Sequence, residues 1–234
     1  MKSKPIIAVL KFLEKIVYNK STAVTTIDQV FYNTIVHRFK NKNKLHIVPN
    51  FVDTDLYKPY LGKLNLDPAI FPENGNIKLM YAGNVGHAQD WEPLLQAARL
   101  LKEEPIEFFI IGEGVMKEYV KNMVEKSGLS KVHVLPYQPR ELMPKLLAYA
   151  DMQFIFMSKE MEGHGFPSKV YTIMACAKPL IVCSGEGTPI VNFLKDYNCA
   201  KIITEGNEQK NTRYSFILES DKPESIIEYG KRRL

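Results

Sequence analysis

The run Glu162-Gly163-His164-Gly165-Phe166-Pro167-Ser168-Lys169 carries the strongest local chemical signal in this 234-residue chain. A glycine-bearing loop leads into Pro167, a residue suited to the first turn of a helix because its missing N–H costs nothing there. Ser168 and Lys169 then offer free backbone amides, a hydroxyl and an ammonium at one helix start. That combination suits an anion, and a diphosphate in particular. The same residues also fit a proline that merely opens a core helix. A second run, Gly83-Asn84-Val85-Gly86-His87, follows a strand and precedes a helix, where glycines let amides approach a phosphate closely. It lacks the third glycine of the dinucleotide fingerprint, and a tight strand–helix turn would use the same residues. Gly112-Glu113-Gly114 is a third loop of this kind. Among the histidines, His87 and His164 sit in candidate ligand loops. Structural roles are expected for His37 and His46, and His133 has no evident partner. No Ser/His/Asp order or paired metal-ligand spacing stands out.

These loops need elements to position them. From residue 77 onward, short and nearly all-apolar runs alternate with helical stretches. Strands are expected at 78–82, 107–111, 132–135, 153–156, 180–183 and 201–203, and helices at 91–102, 116–126, 140–150, 168–177 and 189–195. The fold class is therefore α/β, a Rossmann-like parallel sheet with helices on both faces. Its connections should be right-handed, and its ligands should bind outside the carboxyl ends of the strands. That rule selects the loops at 83–90, 112–115, 136–139 and 158–167. Upstream, the spacing of Ile6, Val9, Leu10, Leu13 and Val17 predicts an amphipathic helix over 5–18. With lysines on its other side, it could pack on another layer or lie on a membrane surface. A strand at 22–27, a helix at 28–40 and a strand at 45–48 follow. Residues 61–76 read as a linker with local turns.

Composition sets the outer limits. Hydrophobic residues make up 45% and charged residues 24%, as in ordinary soluble globular domains. The formal charge of +5 favours anionic partners. The lysines are scattered and no aromatic–basic platform occurs, so nucleic acid is not expected as a partner. Cys176, Cys183 and Cys199 fit no disulfide or zinc pattern, which points to a reducing cytoplasm. Lys11, Glu14 and Lys15 interrupt the apolar N-terminal run too early for a signal peptide or a membrane span.

Three segments together resemble the retaining GT-B glycosyltransferases of the bacterial group 1 class, glycosyltransferase family 4. They are Ile47-Val48-Pro49-Asn50-Phe51-Val52-Asp53-Thr54-Asp55-Leu56-Tyr57-Lys58-Pro59, Tyr81-Ala82-Gly83-Asn84-Val85-Gly86, and Pro167-Ser168-Lys169-Val170-Tyr171-Thr172-Ile173-Met174-Ala175-Cys176-Ala177-Lys178-Pro179. The last two are closest to the branch that transfers N-acetylated amino sugars in O-antigen or capsule synthesis. The likeness spans residues 7–203. It implies a remnant of an acceptor domain at 1–49, an interdomain connection at 50–76, and a nucleotide-sugar-binding domain at 77–234 that is cut short at its end. The missing acceptor half, or a partner subunit supplying it, is then an expected partner. So are a UDP-sugar, a glycan or lipid-linked acceptor, and a peripheral membrane contact at the inner face of a cytoplasmic membrane.

The resemblance also implies roles. Gly83, Asn84, Gly86, His87 and Gln89 border the phosphates, and Ser168 and Lys169, behind Gly165, Phe166 and Pro167, bind the diphosphate. Thr172 reaches the ribose, Glu162, His164 and Gly165 face the sugar with Glu162 and His164 as the catalytic candidates, Pro136 and Tyr137 meet the base, and Glu113 borders the pocket. No metal and no cofactor is called for, the nucleotide sugar being a substrate. The sequence departs from the family where an arginine and a lysine usually hold the diphosphate, with Asn84 and Gln89 in their places. Lys169, or secondarily Lys178, would supply that charge. Thr172 and His164 replace two glutamates, and a threonine offers the ribose one hydrogen bond where a carboxylate accepts two. The chain by itself is expected to be inactive as a transferase. Two alternatives follow: a non-catalytic or split binding module, and an epimerase of the same architecture acting on UDP-N-acetylglucosamine.

Overall fold

The computed structural model describes residues 4–162 and 165–204. The chain divides into two compact units, Met1–Phe51 and Val52–Leu234.

In the first unit, α1 (Lys4–Lys20) precedes β1 (Val24–Thr26), α2 (Gln29–Ile35) and β2 (Leu45–Ile47). Asp28 caps α2 by accepting the Phe31 N–H at 2.7 Å, which satisfies one of the helix's free amides. The predicted helix at 28–40 is shorter than expected, because it tightens into a 3-10 turn at Val36–Arg38. β1 and β2 pair in parallel. Glu14 of α1 holds Arg38 in a 2.6 Å ion pair, and Tyr18 stacks on Phe39 with centroids 4.7 Å apart. The apolar stripe expected on α1 does not turn inward. Ile6, Val9, Leu10, Phe12, Leu13 and Val17 are exposed, and no residue of the helix is buried. No helix among the described residues is long and apolar enough to cross a membrane.

The second unit carries β3 (Ile77–Ala82), α3 (Trp91–Leu100), β4 (Ile106–Ile111), α4 (Lys117–Lys126), β5 (Val132–Leu135), α5 (Met143–Tyr149), β6 (Met152–Phe156), α6 (Lys169–Ala175), β7 (Leu180–Cys183), α7 (Pro189–Leu194) and β8 (Ala200–Ile203). All six strands are parallel, in the order β5-β4-β3-β6-β7-β8. This is the expected α/β class. Side chains alternate between faces. Leu79, Tyr81, Phe108, Ile110, Phe154 and Phe156 point to one core, with Trp91, Leu94 and Leu95 of α3 and Val120 of α4. On the opposite face, Ile155 and Val182 meet Val170 and Ile173 of α6 and Ile190 of α7. Burial on both faces is why the strands read as unbroken apolar runs.

The opposite face also corrects the reading of residues 61–76. Phe71 is buried against Phe109 and Tyr149, Leu64 and Leu66 pack beside it, and the Tyr149 hydroxyl donates to the Pro72 carbonyl at 2.9 Å. Irregular backbone hid a segment that covers the sheet. His133 likewise has partners: its Nε2 lies 3.0 Å from Glu107 and its ring stacks on Phe109 at 4.5 Å. Glu107 also pairs with buried Lys78 at 3.5 Å and accepts hydrogen bonds from Asn74 and Asn76. Burial pushes the Glu107 carboxyl up, but Asn74, Asn76, Lys78 and His133 outweigh it and hold the group below its ordinary value.

Candidate functional site: the crevice between β3 and β6

Strand order reverses between β3 and β6. The chain adds β4 and β5 on one side of β3, then crosses to lay down β6, β7 and β8 on the other. The chain leaves these adjacent carboxyl ends toward opposite sides, and the crevice at such a switch point is where open parallel sheets bind ligands; residues 88–90 stay bridged to 156–158 at its base. Residues 83–90 form one rim, and residues 157–162 and 165–168 the other.

The first rim is held by backbone. Gly83 N–H donates to Ile111 at 2.9 Å, Val85 N–H to Glu113 at 2.8 Å, and Met116 N–H to Val85 at 2.9 Å. Such closeness leaves no room for side chains: a Cβ on Gly112 would sit 1.8 Å from the Gly83 carbonyl oxygen, and one on Gly114 would sit 2.3 Å from that of Val85. Gly112 and Gly114, with φ of 152° and 153°, therefore brace the phosphate-loop candidate from behind. Trp91 Nε1 donates to the Gly86 carbonyl at 3.1 Å, and the Tyr81 hydroxyl donates to the Asn84 carbonyl at 2.7 Å. Gln89 faces away from solvent; its Oε1 accepts the Phe156 N–H at 3.2 Å and its Nε2 donates to Ala88, so its amide is engaged in fastening this loop to the end of β6. Asn84 and His87 are exposed at the rim.

The second rim delivers Lys169. The helix begins at Lys169, one residue later than expected, with Ser168 as an exposed cap that makes no side-chain cap bond. The lysine is half-buried as a residue, but its Nζ is sealed from solvent and has no hydrogen-bond partner. Nζ lies 3.5 Å from the centroid of the Tyr81 ring, and a Cβ on Gly83 would come within 2.7 Å of it. Burial pushes the amine down from an ordinary 10.5 to about 7. Burial, with a smaller contribution from Tyr137, pushes the Tyr81 phenol well above its usual range. Ser158, two residues beyond the β6 end, is also buried and has an Oγ without a partner among the described residues. Among the described residues only one other side-chain group is orphaned in this way, the Gln153 amide within β6. Buried polar atoms without partners are costly, so orphans at the mouth of a crevice mark where a polar ligand belongs.

The remaining candidates are placed as follows. Glu162 accepts the Gly185 N–H at 2.7 Å, so it ties the loop after β6 to the loop after β7. Phe166 packs with Tyr171 and Phe193, both at 5.3 Å or a little more. Glu113 pairs with Lys117 at 2.6 Å. Thr172 is half-buried one turn into α6, Gly165 and Pro167 are half-buried, and Pro136 and Tyr137 are exposed beyond β5. Gly163 and His164 lie outside the described residues. Lys178 is not a diphosphate ligand in this arrangement: its Nζ donates to the Ala148 carbonyl at 2.9 Å, past the far end of α6. The sequence marks Ser158 only as the start of the 158–167 loop, and nothing local in it marks Tyr81 or the Trp91 that holds Gly86. The position of Tyr81 and Ser158 beside the carboxyl ends of β3 and β6 was the signal that could have found them.

Fold and strand order together define one Rossmann-like half of the GT-B type, with its switch point between β3 and β6. The chain belongs to the group 1 glycosyl transferases, whose family model matches residues 65–233. It is 32% identical over 134 residues to the putative colanic acid biosynthesis glycosyl transferase WcaI of Escherichia coli K12, a match covering 57% of this chain and 33% of that protein. It is 29% identical over 129 residues to the probable glycosyltransferase WbjE of Pseudomonas aeruginosa, covering 53% and 32%. These matches span about a third of the length of those curated relatives. Among solved structures, Anabaena HepE in complex with UDP and glucose superposes with a TM-score of 0.68 at 15% identity, over 93% of this chain and 58% of that one. WaaG, a glycosyltransferase involved in lipopolysaccharide biosynthesis, gives 0.69 at 14% identity, over 98% and 62%. At these identities the structural likeness concerns the fold.

Proposed function

We propose that this chain is the donor-binding half of a retaining sugar-nucleotide glycosyltransferase, and that it seats a UDP-sugar, a UDP-N-acetylhexosamine, with the diphosphate between the 83–86 loop and Lys169. The observation that carries the reading is the Lys169 amine: sealed, without a hydrogen-bond partner, and pressed against Gly83. A diphosphate would give it the acceptors it lacks. Family membership supports transfer chemistry, and the HepE complex with UDP and glucose supports a uridine diphosphate donor. The likeness to WcaI and WbjE supports a surface-polysaccharide role, with a glycan or lipid-linked acceptor.

In this reading the charge on the departing diphosphate is met by the Lys169 ammonium and by the amides of the glycine loop. Groups already aimed at the place where charge develops stabilise the transition state without reorganising. Thr172 contributes one hydrogen bond to the ribose. Glu162 acts by fixing the loop that faces the sugar. Acceptor binding belongs to the other Rossmann half of such an enzyme. The exposed apolar face of α1, backed by Lys4, Lys11 and Lys15, suits a peripheral membrane contact in the same scheme.

Titration calorimetry with UDP tests the assignment. Wild-type protein should bind, and Lys169→Ala should weaken binding roughly 10- to 100-fold, the loss of one charged hydrogen bond. Unchanged affinity in the variant would remove Lys169 from the site.

A further inference from the structure

The state of Lys169 before any ligand arrives has a consequence for how the donor binds, resting on the donor-site reading above. We propose that Lys169 takes up a proton from solvent as the diphosphate enters, so that donor binding and protonation of this amine are one coupled event. The bond that forms is N–H on Nζ, and the bond that breaks is the O–H or N–H of the water or buffer acid that gives the proton, which is left as hydroxide or buffer base.

The geometry requires something of this kind. An ammonium has three donors. Among the described residues Nζ has no hydrogen-bond acceptor and it is sealed from solvent, with the face of the Tyr81 ring at 3.5 Å and Gly83 beside it. A charge in such a place is poorly solvated, so the neutral amine competes with it, consistent with the value of about 7. Among the described residues, no counter-charge acts on this amine. Tyr81 on β3 is held in its protonated form by burial. On the loops, Asn84 and His87 point to solvent, Glu113 is paired with Lys117, and Glu162 accepts from Gly185. Asp90 is not among the causes acting on Lys169, Ser158 is uncharged, and α6 adds Ser168, Tyr171 and Thr172. Burial is the one cause of the depression, and none of these groups contributes to it. A diphosphate placed against Nζ would reverse this balance, since an opposite charge within a few ångströms favours the charged form. Above about pH 7 the free protein then holds a mostly uncharged amine in a dry place, and the ligand's own charge switches it on.

The test is calorimetry with UDP at pH 8, in two buffers of different ionisation enthalpy. At that pH the terminal phosphate, which ionises near 6, is already charged. Wild-type protein should take up about 0.9 proton per UDP bound, the fraction neutral one unit above a value of about 7. Its affinity should fall about tenfold per pH unit between pH 7.5 and 9. K169R, whose guanidinium stays charged, should bind UDP with no proton uptake and a flat pH profile. UDP binding by wild-type protein without proton uptake would overturn the coupling while leaving the donor site standing. The same uptake in K169R would also overturn it. No binding heat with wild-type protein would overturn both. If the arginine variant does not fold, carbon NMR of the lysine Cε in wild-type protein decides. A Lys169 signal titrating near 7 without UDP and protonated at pH 9 with UDP supports the coupling, and a signal unmoved by UDP refutes it.

Discussion

Replacing Lys169 with methionine should make the ligand-free protein more stable, because the native amine is buried at a cost. Folding lowers this amine from 10.5 to about 7. At roughly 1.4 kcal/mol per unit, the depression corresponds to about 5 kcal/mol of lost stability wherever both states are protonated. Below about pH 7 the folded and unfolded chains both carry the charge, and the folded chain bears the full cost. Between about 7 and 10.5 the folded amine is neutral while the unfolded one remains protonated. The unfolded state then binds more protons, so stability rises with pH until the penalty is gone. The Tyr81 ring offsets about 1–2 kcal/mol of the penalty. Methionine keeps the length and apolar stem of the lysine, so the net gain should be about 3 kcal/mol at pH 6. Urea unfolding of the two proteins at pH 6, 8 and 10 measures it. The gap should be widest at pH 6 and close toward pH 10. A methionine variant no more stable than wild type at pH 6, or a gap that grows with pH, would refute the reasoning. The same variant should bind UDP poorly, the trade expected when a strained group serves a ligand.

Gly112→Ala should cost more than about 3 kcal/mol and lower Tm in thermal unfolding, since its Cβ would meet the Gly83 carbonyl oxygen at 1.8 Å and backbone must move. Glu107→Ala should cost about 3–5 kcal/mol in urea unfolding, because it leaves the Lys78 ammonium buried without its carboxylate. With Glu107 intact, its depressed value means that its contribution is present at neutral pH and is lost as pH falls through the folded value, which acid titration of the unfolding midpoint would follow. Thr172→Glu should tighten UDP by about tenfold, one carboxylate replacing a single hydroxyl at the ribose. Calorimetry showing unchanged or weaker binding would move the ribose elsewhere.

The legible part of this molecule was the part written in local pattern. The strands of the second unit lie within a residue of their expected bounds, as β4 at Ile106–Ile111 illustrates, because burial on both faces forces continuous apolar runs. Pro167 and Ser168 announced a helix start for the same local reason. What the sequence could not reveal depends on chain segments that meet only after folding. Nothing near Gly112 in sequence indicates that its Cα rests on Gly83. Glu162 reads as a site carboxylate until the Gly185 amide, 23 residues away, is seen to hold it. Lys169 reads as an exposed phosphate hook, whereas its Nζ lies sealed over Tyr81. Phe71 sits in a stretch without periodicity and still packs on Phe109, because irregular backbone can cover a sheet without repeating. Asn84 and Gln89 had been set side by side as stand-ins for two cations. The fold separates them, with Asn84 at the rim and the Gln89 amide bound to the β6 end.

The central claim is that a diphosphate belongs against Lys169 and the 83–86 loop. A crystal structure of the protein with UDP tests it most directly. The account predicts phosphate oxygens about 2.8 Å from Lys169 Nζ, a charge-assisted hydrogen-bond distance, with amides of the glycine loop on the same group. UDP bound elsewhere, with the Lys169 amine still lying over Tyr81 and without an acceptor, would contradict it.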